Sequence, residues 1–66
     1  MYIVINKSCN TRKEYKGSFP QVMLEDCLNR GEKLIVISHY SNTIKVPHSV
    51  ERNGIVEWDW EDYIIA

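Results

Sequence analysis

"VERNGIVEWDWEDY", Val50 to Tyr63, decides the class of fold. Asn53 and Gly54 both accept the positive φ of a type I′ turn, and an Asn-Gly pair beside alternating residues is the strongest hairpin signal in the chain. A last strand follows from Ile55 to about Trp60. In β conformation Val56, Trp58 and Trp60 point one way, and Glu57, Asp59 and Glu61 point the other. The indoles are expected under the core and the carboxylates in water.

Working back from this hairpin, Lys33 to Tyr40 reads as a strand whose centre, Leu34 to Ile37, is apolar on both faces, the pattern of a central position in a sheet. Ser41 and Asn42 supply a turn, and Thr43 to Val46 returns as its partner. Pro47 removes a ladder donor and is expected to end that strand or place it at an edge. Upstream, Phe19, Met23 and Cys27 recur at i, i+4 and i+8, with Val22, Leu24 and Leu28 widening the stripe, so a helix is predicted over Phe19 to Arg30. Ser18 and Gln21 have the spacing of a capping box, Pro20 suits the first turn, and Gly31 suits the left-handed residue after the helix. Met1 to Lys7 is a β-branched and aromatic strand, and Thr11 to Lys16 alternates as the second strand of an N-terminal hairpin. The expected fold is α+β, a mainly antiparallel sheet with one helix on one face, in the order β-β-α-β-β-β, with residues 1–66 as a single domain.

A 66-residue chain buries only about 60% of the surface it exposes when unfolded, so self-association, or a partner that completes the core, is expected. The net charge of -1 conceals a split: residues 1–54 carry a net +3 and residues 55–66 a net -4. A balanced total argues against bulk nucleic-acid binding, whereas the split permits two differently charged surfaces. No apolar run is long enough to span a bilayer, and Met1 to Ile5 does not resemble a signal peptide, so a cytoplasmic protein with no membrane partner is expected. In that compartment Cys9 and Cys27 are expected as free thiols.

The chemistries of common enzymes find little support. Cys9, Cys27, His39 and His48 lack the short ligand spacings of a zinc site, and Gly17, Gly31 and Gly54 stand alone rather than in a phosphate loop. No metal, cofactor or catalytic residue is assigned, and the expected protein is not an enzyme. Two surfaces remain. The first is the C-terminal strand, where Glu57, Asp59, Glu61 and Asp62, with Trp58 and Trp60, form a candidate partner-binding surface for a basic protein. The second is "KSCNTRKEYKGS", Lys7 to Ser18, where Lys7, Arg12, Lys13 and Lys16 supply cations and Tyr15 a stacking ring beside a helix N-terminus. With His39, these residues form an alternative site for a nucleotide ligand.

Two resemblances add expectations. The stretch "SHYSNTIKVPH", Ser38 to His48, resembles the histidine-bearing hairpin of HicA-type mRNA interferases, without the glycine before the histidine and without a second helix. It implies a ribonuclease toxin centred on His39. The whole arrangement, an N-terminal hairpin, one capped helix and hairpins ending in an acidic aromatic tail, resembles the small accessory proteins of bacteriophages. That resemblance implies a nonenzymatic protein in the host cytoplasm that inhibits or sequesters a host factor, for instance in a bacterial defence system. A homo-oligomer that sequesters a cyclic nucleotide signal is the alternative.

Overall fold

Two β-branched runs, YIVIN and LIVIS, form the middle of the sheet in the computed structural model, which describes residues 1–65. They become β1 (Tyr2–Asn6) and β3 (Leu34–Ser38), paired antiparallel from Tyr2 opposite Ser38 to Asn6 opposite Leu34. The second strand, β2 (Thr11–Tyr15), flanks β1, while β4 (Thr43–Arg52) and β5 (Ile55–Ile64) continue beyond β3. The sheet order is β2-β1-β3-β4-β5 with every neighbour antiparallel. One helix, α1 (Gln21–Asn29), lies between β2 and β3 in the chain. The architecture is therefore α+β in the order β-β-α-β-β-β, and β3 takes the central position that its doubly apolar pattern predicts.

The helix starts later than its capping pattern predicts. Pro20, not Ser18, occupies the N-cap position, and no side chain caps the helix. The cause is local: a residue before proline is pushed out of the α region, so Phe19 cannot open the helix and the capping box cannot close. Phe19 instead leaves the helix to stack edge-on against Tyr2 and Trp60, each at 5.2 Å between ring centroids. The other end behaves as its sequence predicts. Arg30 is the C-cap, Gly31 follows at φ +84°, and Gly31 N–H and Glu32 N–H donate to the carbonyls of Leu28 and Cys27. These are the two bonds of a Schellman motif, which only a residue tolerant of positive φ completes without strain.

Leu24 and Leu28 of α1 meet Val4, Leu34 and Val36 of the sheet in one buried cluster, with Leu24 and Val36 fully enclosed. Trp58 and Trp60 extend this core along β5.

The largest departure from the sequence reading is the C-terminal arm. β4 does not stop at Pro47 but runs to Arg52, and β5 runs to Ile64, past the expected end at Trp60. Asn53 at φ 52° and Gly54 at φ 77° make the two-residue turn between them, from which pairing extends ten residues down each strand. Pro47 is tolerated because it needs a ladder partner on only one side. β3 pairs with β4 only at Val36–Lys45, Ile37–Ile44 and Ser38–Thr43, so the proline lies beyond that ladder and faces only Trp60 of β5. The distal part of the β4–β5 hairpin thus leaves the five-stranded body as a two-stranded arm.

Candidate functional site

Alternation along β5 assigns its side chains to two faces, and the cross-strand register carries the assignment through the sheet. On the helix side lie Trp58, Trp60 and Asp62, opposite Ser49, Pro47 and Lys45. Trp58 donates Nε1–H to the Oδ1 of Asn29 at 2.8 Å, which anchors the arm to the end of α1. Trp60 packs on Phe19, and its buried Nε1 has no hydrogen-bond partner among the described residues. Both indoles thus serve the core. Asp62 accepts from Lys45 Nζ at 2.9 Å and is separated from the other three carboxylates by the thickness of the sheet.

Glu57, Asp59 and Glu61 line the opposite face and are exposed, as their alternation predicts. They do not stand alone. Arg52 reaches across from β4 to Glu57 at 2.6 Å and Asp59 at 3.0 Å, and its guanidinium is held more firmly protonated by the hydrogen bonds and charges of Glu57 and Asp59. His48 Nε2 lies 2.7 Å from Glu61 Oε2. Glu61 in turn raises the Tyr63 phenol above its ordinary pKa, by hydrogen bonding and by its charge. The row is therefore a mixed-charge ladder with a negative excess, three carboxylates against one permanent cation. The chain sequence held the signal for these partners: a two-residue turn pairs Arg52 with Ile55, and counting outward places His48 opposite Asp59.

Between this row and Arg12 and Glu14 of β2, the middle of the same face is apolar. Ile3 and Ile5 of β1 lie opposite Ile37 and Ile35 of β3, Ile37 lies opposite Ile44 of β4, and Val46 follows two residues on. Tyr63 faces Ile44 from β5 and is half exposed. Ile3 is buried, whereas Ile5, Ile35, Ile37, Ile44 and Val46 stay partly exposed, because α1 packs on the other side of the sheet. An apolar patch beside a polar border has the composition of an interaction surface. Sequence reasoning missed it, although the four-residue apolar run Leu34–Ile37 demands cover on two faces and the chain predicts only one helix.

The basic hairpin is arranged differently from what its sequence proximity suggests. Tyr15 pairs with Tyr2 at one end of β1, and His39 donates its backbone N–H to Met1 O at that same end. Lys7 follows Asn6 at the opposite end of the strand, roughly 17 Å away at about 3.3 Å per residue. Arg12 and Lys13 point to opposite faces of β2, and Lys16 lies past Tyr15. The register thus brings Tyr15, Lys16 and His39 to one end, keeps Lys13 beside Tyr15 on the helix face of β2, and leaves Lys7 and Arg12 apart from them. His39 is exposed and makes no side-chain hydrogen bond among the described residues. The turn after β1 serves the fold: Asn6 Oδ1 accepts the N–H groups of Ser8 and Cys9, and Asn6 Nδ2 donates to Glu32 at 2.7 Å.

Cys9 and Cys27 are both free thiols. Among the described residues, no group of three or more His, Cys, Asp or Glu side chains is placed to hold a metal ion, and no helix is long and apolar enough to cross a membrane. Searches against family models, curated proteins and solved structures give no match.

Proposed function

We propose that this is a nonenzymatic binding protein that meets a partner protein through the uncovered face of its sheet. The observation behind the proposal is the patch formed by Ile5, Ile35, Ile37, Ile44 and Val46, which lies on the sheet face opposite α1. Apolar contact there supplies affinity, and the border of Glu57, Asp59 and Glu61 steers a partner whose apolar patch is rimmed by basic groups. On the resemblance to bacteriophage accessory proteins, the partner would be a host protein, and binding would inhibit or sequester it.

Affinity capture from host lysate tests this with three baits: the native protein, Ile37→Lys, and Glu57→Lys with Glu61→Lys. Circular dichroism establishes first that each bait is folded. The expected result is a protein retained by the native bait, lost with Ile37→Lys and retained at least tenfold more weakly by the charge-reversed bait at low salt. Undiminished retention of the same protein by folded Ile37→Lys would sink the proposal, as would a native bait that retains nothing.

A further inference from the structure

A second candidate site arises where the β3–β4 ladder stops. Continued in register, Ile35 would face Val46 and Leu34 would face Pro47, but pairing ends at Lys45 and Pro47 has no N–H to extend it. A cavity of about 390 Å³ opens there, lined by Leu28, Leu34, Ile35, Val46, Pro47 and Trp58. That volume falls within the roughly 300–1,000 Å³ of small-molecule sites. Leu34, Pro47 and Trp58 belong to the helix side of the sheet and Ile35 and Val46 to the open side, so the cavity is an open groove at the splay of β3 and β4 lined by residues of both sides. Its outer wall is held in place by the hydrogen bond from Trp58 to Asn29 at 2.8 Å.

The rim is cationic. Lys7 N–H donates to Lys33 O at 2.8 Å, which extends the β1–β3 register by one pair and sets the two lysines directly opposite each other, both lining the cavity. Like charges opposed across a sheet repel. Neither ammonium forms an ion pair among the described residues. Glu32, the carboxylate on the same rim, is engaged by Arg30 Nε and Asn6 Nδ2, each at 2.7 Å.

We infer that this opening binds a small amphipathic carboxylate, its apolar chain between β3 and β4 and its head between Lys7 and Lys33. The head relieves the lysine repulsion through charge-assisted hydrogen bonds, and the apolar walls take the chain. A cationic head of the same length is repelled, and a neutral one gains only the apolar part. The cavity shares Ile35 and Val46 with the protein-binding patch, but this inference does not rest on that proposal, since the ligand binds without a partner.

Octanoate, octanol and octylammonium, kept below micelle-forming concentrations, are the probes. The Trp60→Phe variant leaves Trp58 as the reporter, because the chain has two tryptophans. Octanoate is expected to shift Trp58 emission saturably, at a half-saturating concentration at least tenfold below that of octanol, and octylammonium to give no saturable shift. Octanoate should also raise the melting temperature of the native protein, a check that needs no substitution. Lys7→Gln with Lys33→Gln should erase the preference over octanol without lowering the melting temperature. Absence of a saturable octanoate response, equal responses to octanoate and octanol, or a preference that survives in the double variant would each overturn the inference.

Discussion

The two faces of the sheet are built from similar residues but have different environments. Val4, Leu34 and Val36 look toward α1 and are closed off from water, whereas Ile5, Ile35, Ile37 and Ile44 look away from it and remain partly exposed, with Ile3 alone of the β1 and β3 isoleucines on that side buried. On β1 and β3 the two sets are one residue out of phase. Hydrophobicity therefore does not distinguish the face that stabilises the chain from the face available to a partner. What distinguishes them is the supply of cover, since among the described residues one nine-residue helix packs against five strands.

The contrast breaks most visibly under truncation. Leu24→Ala empties a fully enclosed position and should cost about 2–5 kcal/mol in urea unfolding, enough to unfold much of a small domain. Ile37→Ala, on the open face, should cost about 1 kcal/mol, the range over which strand residues differ on a half-exposed surface. Equal costs would mean that the open face is as much core as the covered one. The two indoles sharpen the comparison within the covered side. Trp58→Phe removes a hydrogen bond to Asn29, while Trp60→Phe removes a buried N–H that has no partner among the described residues. Trp58→Phe should therefore cost about 1 kcal/mol more than Trp60→Phe.

The smallest effect is the pH dependence at the end of the covered side. Hydrogen bonds from Asn6 and then from Arg30 hold the Glu32 carboxyl below its ordinary value of 4.5. Stabilisation by this group is thus fully present above that value and is lost as the pH falls through the lowered folded-state pKa. Melting temperatures of the native protein should decline with acid below about pH 4.5, and Glu32→Gln should flatten that part of the decline. An unchanged slope in the variant would remove Glu32 from the account.

Much of this arrangement was legible in the chain because it rests on local chemistry. The Asn53-Gly54 turn, the Gly31 helix stop, the alternation of tryptophan and carboxylate and the central place of Leu34–Ile37 each follow from a few neighbouring residues. The failures were of two kinds. At Ser18 two local rules competed, and the restriction that Pro20 places on Phe19 overrode the cap. At Pro47 the edge position expected as one alternative is what forms, while the length of the strand beyond it is decided by pairing between distant segments. Register likewise separated Lys7 from His39 and gave the carboxylate row its Arg52 and His48 partners.

The two-residue turn of the arm also governs the order in which the chain assembles. β4 and β5 meet across the shortest loop in the molecule and pay little closure entropy, so this hairpin can form on the microsecond scale. β1 and β3 must first gather β2, the helix and three connecting segments between them, a slower search. The arm is therefore expected to form before the body closes, with α1 docking onto indoles already in register and the brief β3–β4 ladder joining the fast half of the chain to the slow one. Folding φ-values near one at Trp58 and Trp60 and near zero at Val4 would show this order.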